Sequence, residues 1–182
     1  APALASVLLL DGDGRRLHHM AAPSLPASYV HAIDGASIGP RAGSCGAAAY
    51  LARPVIVADI ASDPLWQDYR ELALAHGLRA CWSTPIVSSH AQVLGTFALY
   101  YREPRGPTPR EEEVVERATH LAGIAIVREQ TDHELRALSA HIQAAREDER
   151  TRVAREIHDE LGQALTAMKM DTARIGRYLE GA

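Results

Sequence analysis

Residues 77–101 read Gly-Leu-Arg-Ala-Cys-Trp-Ser-Thr-Pro-Ile-Val-Ser-Ser-His-Ala-Gln-Val-Leu-Gly-Thr-Phe-Ala-Leu-Tyr-Tyr. This stretch has two apolar runs, Arg79–Val87 and Gln92–Tyr101, whose β-branched and aromatic residues are typical of strands. Between them, Ser88–Ala91 has the polar composition of a short turn. Consecutive strands joined by a tight turn are antiparallel neighbours. The stretch therefore predicts a central hairpin in an antiparallel sheet.

The segments before this hairpin predict further elements of the same domain. Ser6–Leu10 and Arg16–Ala22 predict a second hairpin, and Pro54–Ala58 predicts another strand. Helical spacing of apolar residues, with capping signals, predicts three helices: Ala27–Ile33, Ala47–Leu51 with Ser44 as its N-cap, and Leu65–His76 with Gly77 at its C-terminal end. The order of elements favours an α+β domain in which helices flank a central antiparallel sheet.

Four motifs in this region carry a family resemblance: Gly43–Gly46, Val55–Ile60, Gly77–Ile86 and Val93–Phe97. Together they resemble the motifs of GAF domains, in particular those of bacterial sensor kinases. The resemblance implies a GAF-type sheet and helices over residues 1–129, without the first helix of the usual fold. Because GAF domains bind cyclic nucleotides, haem, bilins or small metabolites, or only dimerise, a small-molecule ligand is expected but its identity stays open.

The composition limits the classes of function. The chain has 182 residues, a net charge of −4 and a pI of about 6.1, which provide no electrostatic basis for binding nucleic acid or anionic membrane. Two cysteines and the lack of a signal peptide favour a reducing cytoplasm. No apolar run approaches the roughly 20 residues that cross a bilayer. The chain ends inside a helical pattern, so we expect a fragment of a longer protein, whose other segments could include a membrane span.

Cys45 follows a glycine-rich loop, and Cys81 lies on a predicted strand. In the resembling domains both regions border the ligand pocket, and a helix N-terminus would lower the pKa of Cys45. The thiols could form a redox pair, bind a metal or attach a bilin, although packing as small apolar side chains is the commoner role. Two cysteines are too few for a structural zinc site unless histidines join them, and the sequence assigns no metal ligands. Trp66, Tyr69 and Trp82 are candidate pocket residues, with core packing as the alternative.

The last seventy residues predict one long helix. Thr108–Glu111 forms a capping box with Pro109 at the first helical position, and no proline follows. Such a helix would extend about 100 Å, so a compact domain cannot bury its apolar stripe. We expect a parallel coiled coil with a second copy, and hence a homodimer. The stripe residues recur every three or four positions: Val114, Ala118, Leu121, Ala125, Leu135, Leu138, Ile142, Ala145, Val153, Ile157, Leu161, Leu165, Met168 and Ile175.

A charged segment of this helix, residues 150–163, reads Arg-Thr-Arg-Val-Ala-Arg-Glu-Ile-His-Asp-Glu-Leu-Gly-Gln. Because His158 directly follows Ile157 of the apolar stripe, it is expected at the edge of the helix contact, where it is accessible. Asp159 can accept a hydrogen bond from one ring nitrogen, which leaves the other nitrogen free to attack a γ-phosphate. Gln163 lies one turn beyond Asp159 on the same face.

This segment resembles the H-box of bacterial histidine kinases whose dimerisation and phosphotransfer domain pairs with helix-turn-helix response regulators. The resemblance implies that His158 is the phosphoacceptor, Asp159 its general base, and Gln163 the residue that positions water for dephosphorylation of the regulator. It divides the chain into a GAF sensor domain (1–129), a signalling helix (130–150) and the truncated first helix of the dimerisation domain (151–182).

The expected function is that of a sensor histidine kinase, in which the GAF domain controls autophosphorylation of His158 and phosphotransfer to a response regulator. ATP would be bound by a domain outside this chain, because no glycine-rich nucleotide-binding box occurs in it. The chain alone is therefore expected to be inactive as a kinase. Two alternatives stay open: a non-enzymatic ligand-binding and dimerisation module, and a GAF-type thiol redox enzyme that uses Cys45 and Cys81.

Overall fold

We describe the protein from a computed structural model that covers residues 3–180, with the side chains of all but residues 154, 159, 164, 167 and 171–180. The chain divides into two units, Ala1–Glu129 and Gln130–Ala182. Apart from a 3₁₀ turn at Pro64–Trp66, the elements in chain order are β1 (Leu4–Leu10), β2 (Arg16–Ala21), α1 (Ala27–Ile33), β3 (Ala36–Ser37), α2 (Gly43–Leu51), β4 (Val55–Val57), α3 (Arg70–Ala75), β5 (Ala80–Val87), β6 (Val93–Tyr101) and α4 (Pro109–Glu180).

The first unit is built on one six-stranded sheet in the order β3-β2-β1-β6-β5-β4. Each pair of neighbours is antiparallel, and the predicted hairpin of β5 and β6 is present, with β6 as one of the two central strands. Ala98 of β6 is paired with Ser6 of β1 on one side and with Ser83 of β5 on the other. The predicted α+β fold with a central antiparallel sheet is therefore confirmed.

The main core lies between one face of this sheet and helices α1, α2 and α3. Side chains at alternate strand positions share a face, so Ala98 and Tyr100 both face this core. Small residues of α2, among them Ala47 and Ala48, are fully buried and let the helix lie close to the sheet. Trp66 closes the core from the loop that follows β4, with 3% of its surface exposed.

Two local predictions were wrong. Ser44 is not the N-cap of α2, because the helix begins at Gly43 with Ala42 in the cap position. The buried Ser44 hydroxyl instead donates to the Cys81 carbonyl at 3.2 Å and accepts from the Trp66 indole N–H at 3.0 Å. These tertiary hydrogen bonds outcompete the local capping bond that Ser favours at a helix start.

The second wrong prediction is the single helix Leu65–His76. The structure instead has a 3₁₀ turn at Pro64–Trp66, followed by helix α3. The Asp63 carboxylate accepts from the Leu65 N–H at 2.8 Å and holds the tighter turn. Burial of Trp66 and its bond to Ser44 fix that turn in place. The two-residue edge strand β3 is too short for any periodic pattern to predict.

Helix α4 begins with the predicted capping box. The Thr108 N–H donates to Glu111 at 2.8 Å, and the Glu111 N–H donates to the Thr108 hydroxyl at 3.4 Å. Arg105 donates to both oxygens of the same carboxylate, at 2.9 and 2.8 Å. Its guanidinium lies over the rings of Trp82 and Tyr101, 5.1 and 4.6 Å from their centroids. These contacts attach the first turn of α4 to the sheet.

Within the first unit, one face of α4 lies against the end of β5. Thr119 and Ile126 are buried there, and Gly123 lies between them on the same face. A Cβ added to Gly123 would meet the Val87 carbonyl oxygen at 2.5 Å, which shows how closely the two backbones approach.

Most large apolar side chains of α4 are exposed in the single chain, between 39% and 68%, as expected for a helix whose stripe needs a partner. No described helix is long and apolar enough to cross a membrane. The large apolar residues of α4 that are exposed in the single chain are Val114, Leu121, Ile124, Leu135, Leu138, Ile142, Val153, Ile157, Leu161, Leu165, Met168 and Met170.

Candidate functional site

The first candidate site is the exposed helical surface around His158 in α4. His158 and Gln163 are both exposed, and Ile157 beside them is 52% exposed. Gly162 lies one turn beyond His158 on the same helix face. A Cβ added to Gly162 would meet no described atom within 4 Å. The segment therefore presents the imidazole one turn from a glycine, which adds no side chain to the surface. The side chain of Asp159, the expected general base, lies outside the described residues, so that role stays a prediction.

Charge pairs on the helix surface stiffen the segment before His158. Arg152 donates to Glu149 at 2.7 and 2.9 Å and lies 3.5 Å from Glu156. All three side chains are about 60% exposed, so each pair contributes only a few tenths of a kcal/mol to helix stability.

The second candidate site is a cavity of about 40 Å³ in the GAF-like unit, beneath the start of α2. Of the predicted pocket residues, Cys45, Trp66 and Tyr69 lie on its wall, whereas Cys81 and Trp82 do not. Cys81 is fully buried in β5 behind the cavity. The other wall residues are Leu8, Leu17, Tyr29, Ile33, Ala36, Ser37, Ala42, Gly43, Ser44, Gly46 and Tyr100.

The half-buried Cys45 thiol has several polar neighbours. The Tyr100 hydroxyl lies 3.6 Å from its sulfur, and the Tyr29 ring packs edge-on against Tyr100 at 5.9 Å. Ser83 and Thr96 project from the sheet floor and are at most 1% exposed. Their hydroxyls have no hydrogen-bond partner among the described residues. Neither residue lies on the cavity wall, and both hydroxyls act on the Cys45 thiol, whose pKa they lower.

These neighbours give the two thiols different acidities. The neighbouring Cys81 thiol, followed by the hydroxyls of Tyr100, Ser83 and Thr96, lowers the pKa of Cys45 to about 7 against the opposing effect of burial. Burial raises the pKa of Cys81. Burial also raises the pKa of Tyr100, so its hydroxyl stays protonated and can donate. At neutral pH the pair therefore combines one thiolate-forming sulfur with one protonated thiol.

Tyr100, Ser83 and Thr96 were not among the predicted site residues. Thr96 and Tyr100 could have been found from strand parity, because Thr96, Ala98 and Tyr100 alternate along β6 and share one face. Placing Ser83 beside them requires the register of β5 against β6, in which Ser83 pairs with Ala98. Within the described residues, no cluster of three or more His, Cys, Asp or Glu side chains is placed to hold a metal ion.

Comparison with known protein families gives two matches. Residues 2–127 match the family described as GAF domain. Residues 149–181 match the family described as histidine kinase, and this range contains His158, Asp159 and Gln163.

Among curated proteins, the chain is similar to the methyl sulfide methyltransferase-associated sensor of Methanosarcina acetivorans, with 44% identity over 123 residues. The match covers 68% of this chain and 12% of that protein. The chain thus spans about an eighth of the length of this relative.

Among solved structures, it is similar to a domain assigned to a two-component sensor histidine kinase protein of Sinorhizobium meliloti, with a TM-score of 0.60 and 23% identity. That match covers 72% of this chain and 83% of the other. The free methionine sulfoxide reductase of Staphylococcus aureus, solved with its substrate, is similar with a TM-score of 0.51 and 19% identity, covering 66% and 70% of the two chains. At these identities the likeness establishes the fold alone.

Proposed function

Because the chain belongs to the GAF domain family and continues into a histidine kinase region, we propose that it is the sensor and phosphoacceptor part of a two-component histidine kinase. In this proposal His158 receives the γ-phosphoryl group of ATP, which a domain outside this chain binds, and passes it to a response regulator. The observation that carries the proposal is an exposed His158 on α4, within the segment that matches histidine kinases.

The chemistry follows from the exposure of the ring. A neutral imidazole nitrogen attacks the γ-phosphorus, the bond to the ADP leaving group breaks, and a phosphoramidate forms. Asp159 would orient the ring and accept its proton. The bare backbone at Gly162 would let the regulator approach the phosphorylated ring closely. Gln163 would position the water that later removes the phosphoryl group from the regulator.

We further propose that α4 pairs in parallel with the same helix of a second copy, as a coiled coil. The support is the exposed apolar stripe, in which Leu135, Leu138 and Ile142 are between 45% and 58% exposed and recur at helical spacing. Pairing would cover this stripe and leave His158 at the edge of the contact.

The two free cysteines suit a cytoplasmic location, where ATP is available.

The signal would pass from the GAF domain to His158 through α4. The start of this helix is attached to the sheet by Arg105 and Glu111 and by the close approach of Gly123 to Val87. A change in the core that moved β5 would therefore move the helix and alter its packing against the partner copy. The GAF ligand is proposed to be a small molecule that fits beneath α2.

Phosphotransfer to the regulator tests the proposal. The parent kinase is incubated with labelled ATP and then with its regulator, as wild type, as His158→Gln and as His141→Gln. His141 is an exposed histidine of the same helix and serves as the matched control. Label should reach the regulator from wild type and from His141→Gln but not from His158→Gln. Equal transfer from His158→Gln would refute the assignment.

A further inference from the structure

We propose that Cys45 and Cys81 form a hydroperoxide-reactive dithiol site, in which Cys45 is oxidised first and Cys81 resolves it as a disulfide. The site is separate from the phosphoacceptor surface, and its chemistry requires neither ATP nor a regulator.

The backbone arrangement brings the two thiols together. Cys45 is the third residue of α2, and Cys81 is the second residue of β5. The Ser44 hydroxyl, next to Cys45, donates to the Cys81 carbonyl at 3.2 Å and so ties the helix to the strand at this level. Cys81 is the cross-strand partner of Tyr100, whose hydroxyl lies 3.6 Å from the Cys45 sulfur, and Cys45 packs against the buried core cluster that contains Cys81. Both cysteines are free, so the pair can be oxidised.

Access decides the order of reaction. Cys45 lies on the wall of the cavity, whereas Cys81 has no exposed surface. The cavity of about 40 Å³ has room for about two to four water-sized groups. Hydrogen peroxide, with two oxygen atoms, has that size. A bulky hydroperoxide exceeds it, so the site should prefer the smallest oxidants. Cys81 can be oxidised only through Cys45.

Hydrogen-bond donors lie where the reaction needs them. Ser83 and Thr96 are at most 1% exposed, and their hydroxyls have no partner among the described residues. An unpaired buried hydroxyl is costly, so a group that accepts from it is stabilised. Together with the Tyr100 hydroxyl, 3.6 Å from the Cys45 sulfur, these donors would stabilise first the thiolate and then the oxygen bonded to it.

The reaction balances without any further co-reactant. The Cys45 thiolate attacks one oxygen of hydrogen peroxide; an S–O bond forms, the O–O bond breaks, and the departing hydroxide takes a proton to become water. Cys45 is then a sulfenic acid. The Cys81 sulfur attacks the Cys45 sulfur; an S–S bond forms, the S–O bond breaks, and the hydroxide leaves as water with the Cys81 proton. Two thiols and one peroxide give one disulfide and two waters.

The test uses the reduced 182-residue chain. It is treated with hydrogen peroxide at pH 7, alkylated, digested and analysed by mass spectrometry. Wild type should give one intramolecular Cys45–Cys81 linkage. Cys81→Ser should give a Cys45 sulfenic acid that dimedone traps, and Cys45→Ser should leave Cys81 reduced. The reference is the same chain unfolded in urea. Folded Cys45 should react at least about threefold faster than unfolded Cys45. Its lower pKa gives a larger thiolate fraction, and the resulting gain in rate outweighs the lower intrinsic nucleophilicity of a more acidic thiol.

Tyr100→Phe gives a readout that a purely structural role of Tyr100 would not move. It should shift the midpoint of the rate-against-pH curve for Cys45 upward, since one donor to the thiolate is lost. The proposal is overturned if Cys81 is oxidised as fast in Cys45→Ser as in wild type, if only intermolecular disulfides form, or if folded and unfolded Cys45 react equally. None of these readouts depends on labelling of His158, so failure here and failure of the phosphotransfer proposal are distinguishable.

Discussion

Gly123→Ala tests the attachment of α4 to the sheet. Gly123 lies on the buried face of the helix, and an added Cβ would lie 2.5 Å from the Val87 carbonyl oxygen and 3.7 Å from the Ile86 side chain. The matched control is Gly162→Ala in the same helix, where an added Cβ meets no described atom within 4 Å. The two substitutions are chemically identical and differ only in what surrounds them.

The expected magnitude comes from two opposing effects. Ala is about 0.8–1 kcal/mol more favourable than Gly inside a helix, and this gain applies at both positions. At Gly123 the new methyl group must also move away from a strand carbonyl by nearly 1 Å to reach ordinary contact, and overpacking of this kind costs about 1–3 kcal/mol. Gly123→Ala should therefore lower the stability of the first unit by up to about 2 kcal/mol relative to wild type, whereas Gly162→Ala lies in the second unit and should leave the first unit unchanged.

Urea unfolding followed by tryptophan fluorescence measures this difference. Both tryptophans, Trp66 and Trp82, are buried in the first unit, so the signal reports on that unit. We expect a lower urea midpoint for Gly123→Ala and an unchanged one for Gly162→Ala. If Gly123→Ala is as stable as Gly162→Ala, the helix does not pack against the end of β5 as described.

Three further predictions address other parts of the molecule. Trp66→Phe removes the indole N–H that donates to Ser44 at 3.0 Å and should destabilise the first unit by about 1–3 kcal/mol. Urea unfolding followed by Trp82 fluorescence measures this change, and an unchanged stability would contradict the role of the hydrogen bond. The pKa of Asp34 is lowered below its ordinary 3.8, mainly because its carboxylate accepts from the His19 N–H at 2.7 Å and, after that, because of His18. The ionised Asp34 therefore stabilises the fold above pH 4, and this stabilisation is lost as pH falls through the folded-state pKa. Asp34→Asn should thus be less stable than wild type at pH 7 by thermal unfolding, with the gap closing below pH 4; a gap that widens in acid would refute this. Gln163→Ala should keep labelling of His158 within about twofold of wild type and slow dephosphorylation of the labelled regulator at least about tenfold. Loss of labelling at His158 would mean that the roles of Asp159 and Gln163 are misassigned.

The sheet and the start of α4 could be predicted because their signals are local. Alternating and β-branched residues mark β5 and β6, and Thr108 and Glu111 form a capping box whatever surrounds them. The exposed stripe of α4 was equally predictable, because its period is that of a helix. Residues such as Leu135 and Leu138 could therefore be assigned to one helix face from their spacing alone.

The predictions that failed concern residues with tertiary partners. Ser44 has the side chain of a capping residue, but a strand carbonyl and an indole from distant segments engage its hydroxyl. Trp66 was placed in a regular helix because Leu65, Tyr69 and Leu72 have helical spacing, yet it lies buried at the end of a tighter 3₁₀ turn. The donors around Cys45 were missed for the same reason. The proximity of Ser83 to Cys45 depends on strand register and on the position of α2, which no single sequence segment specifies.

The assignment of His158 as phosphoacceptor is tested by locating the phosphoryl group on the protein. The 182-residue chain is mixed with the isolated ATP-binding part of its parent and labelled ATP, and the modified residue is mapped by peptide mass spectrometry at alkaline pH. We expect one acid-labile phosphoryl group on His158, absent in His158→Gln and retained in His141→Gln. Label on any other residue, or undiminished label in His158→Gln, would contradict it.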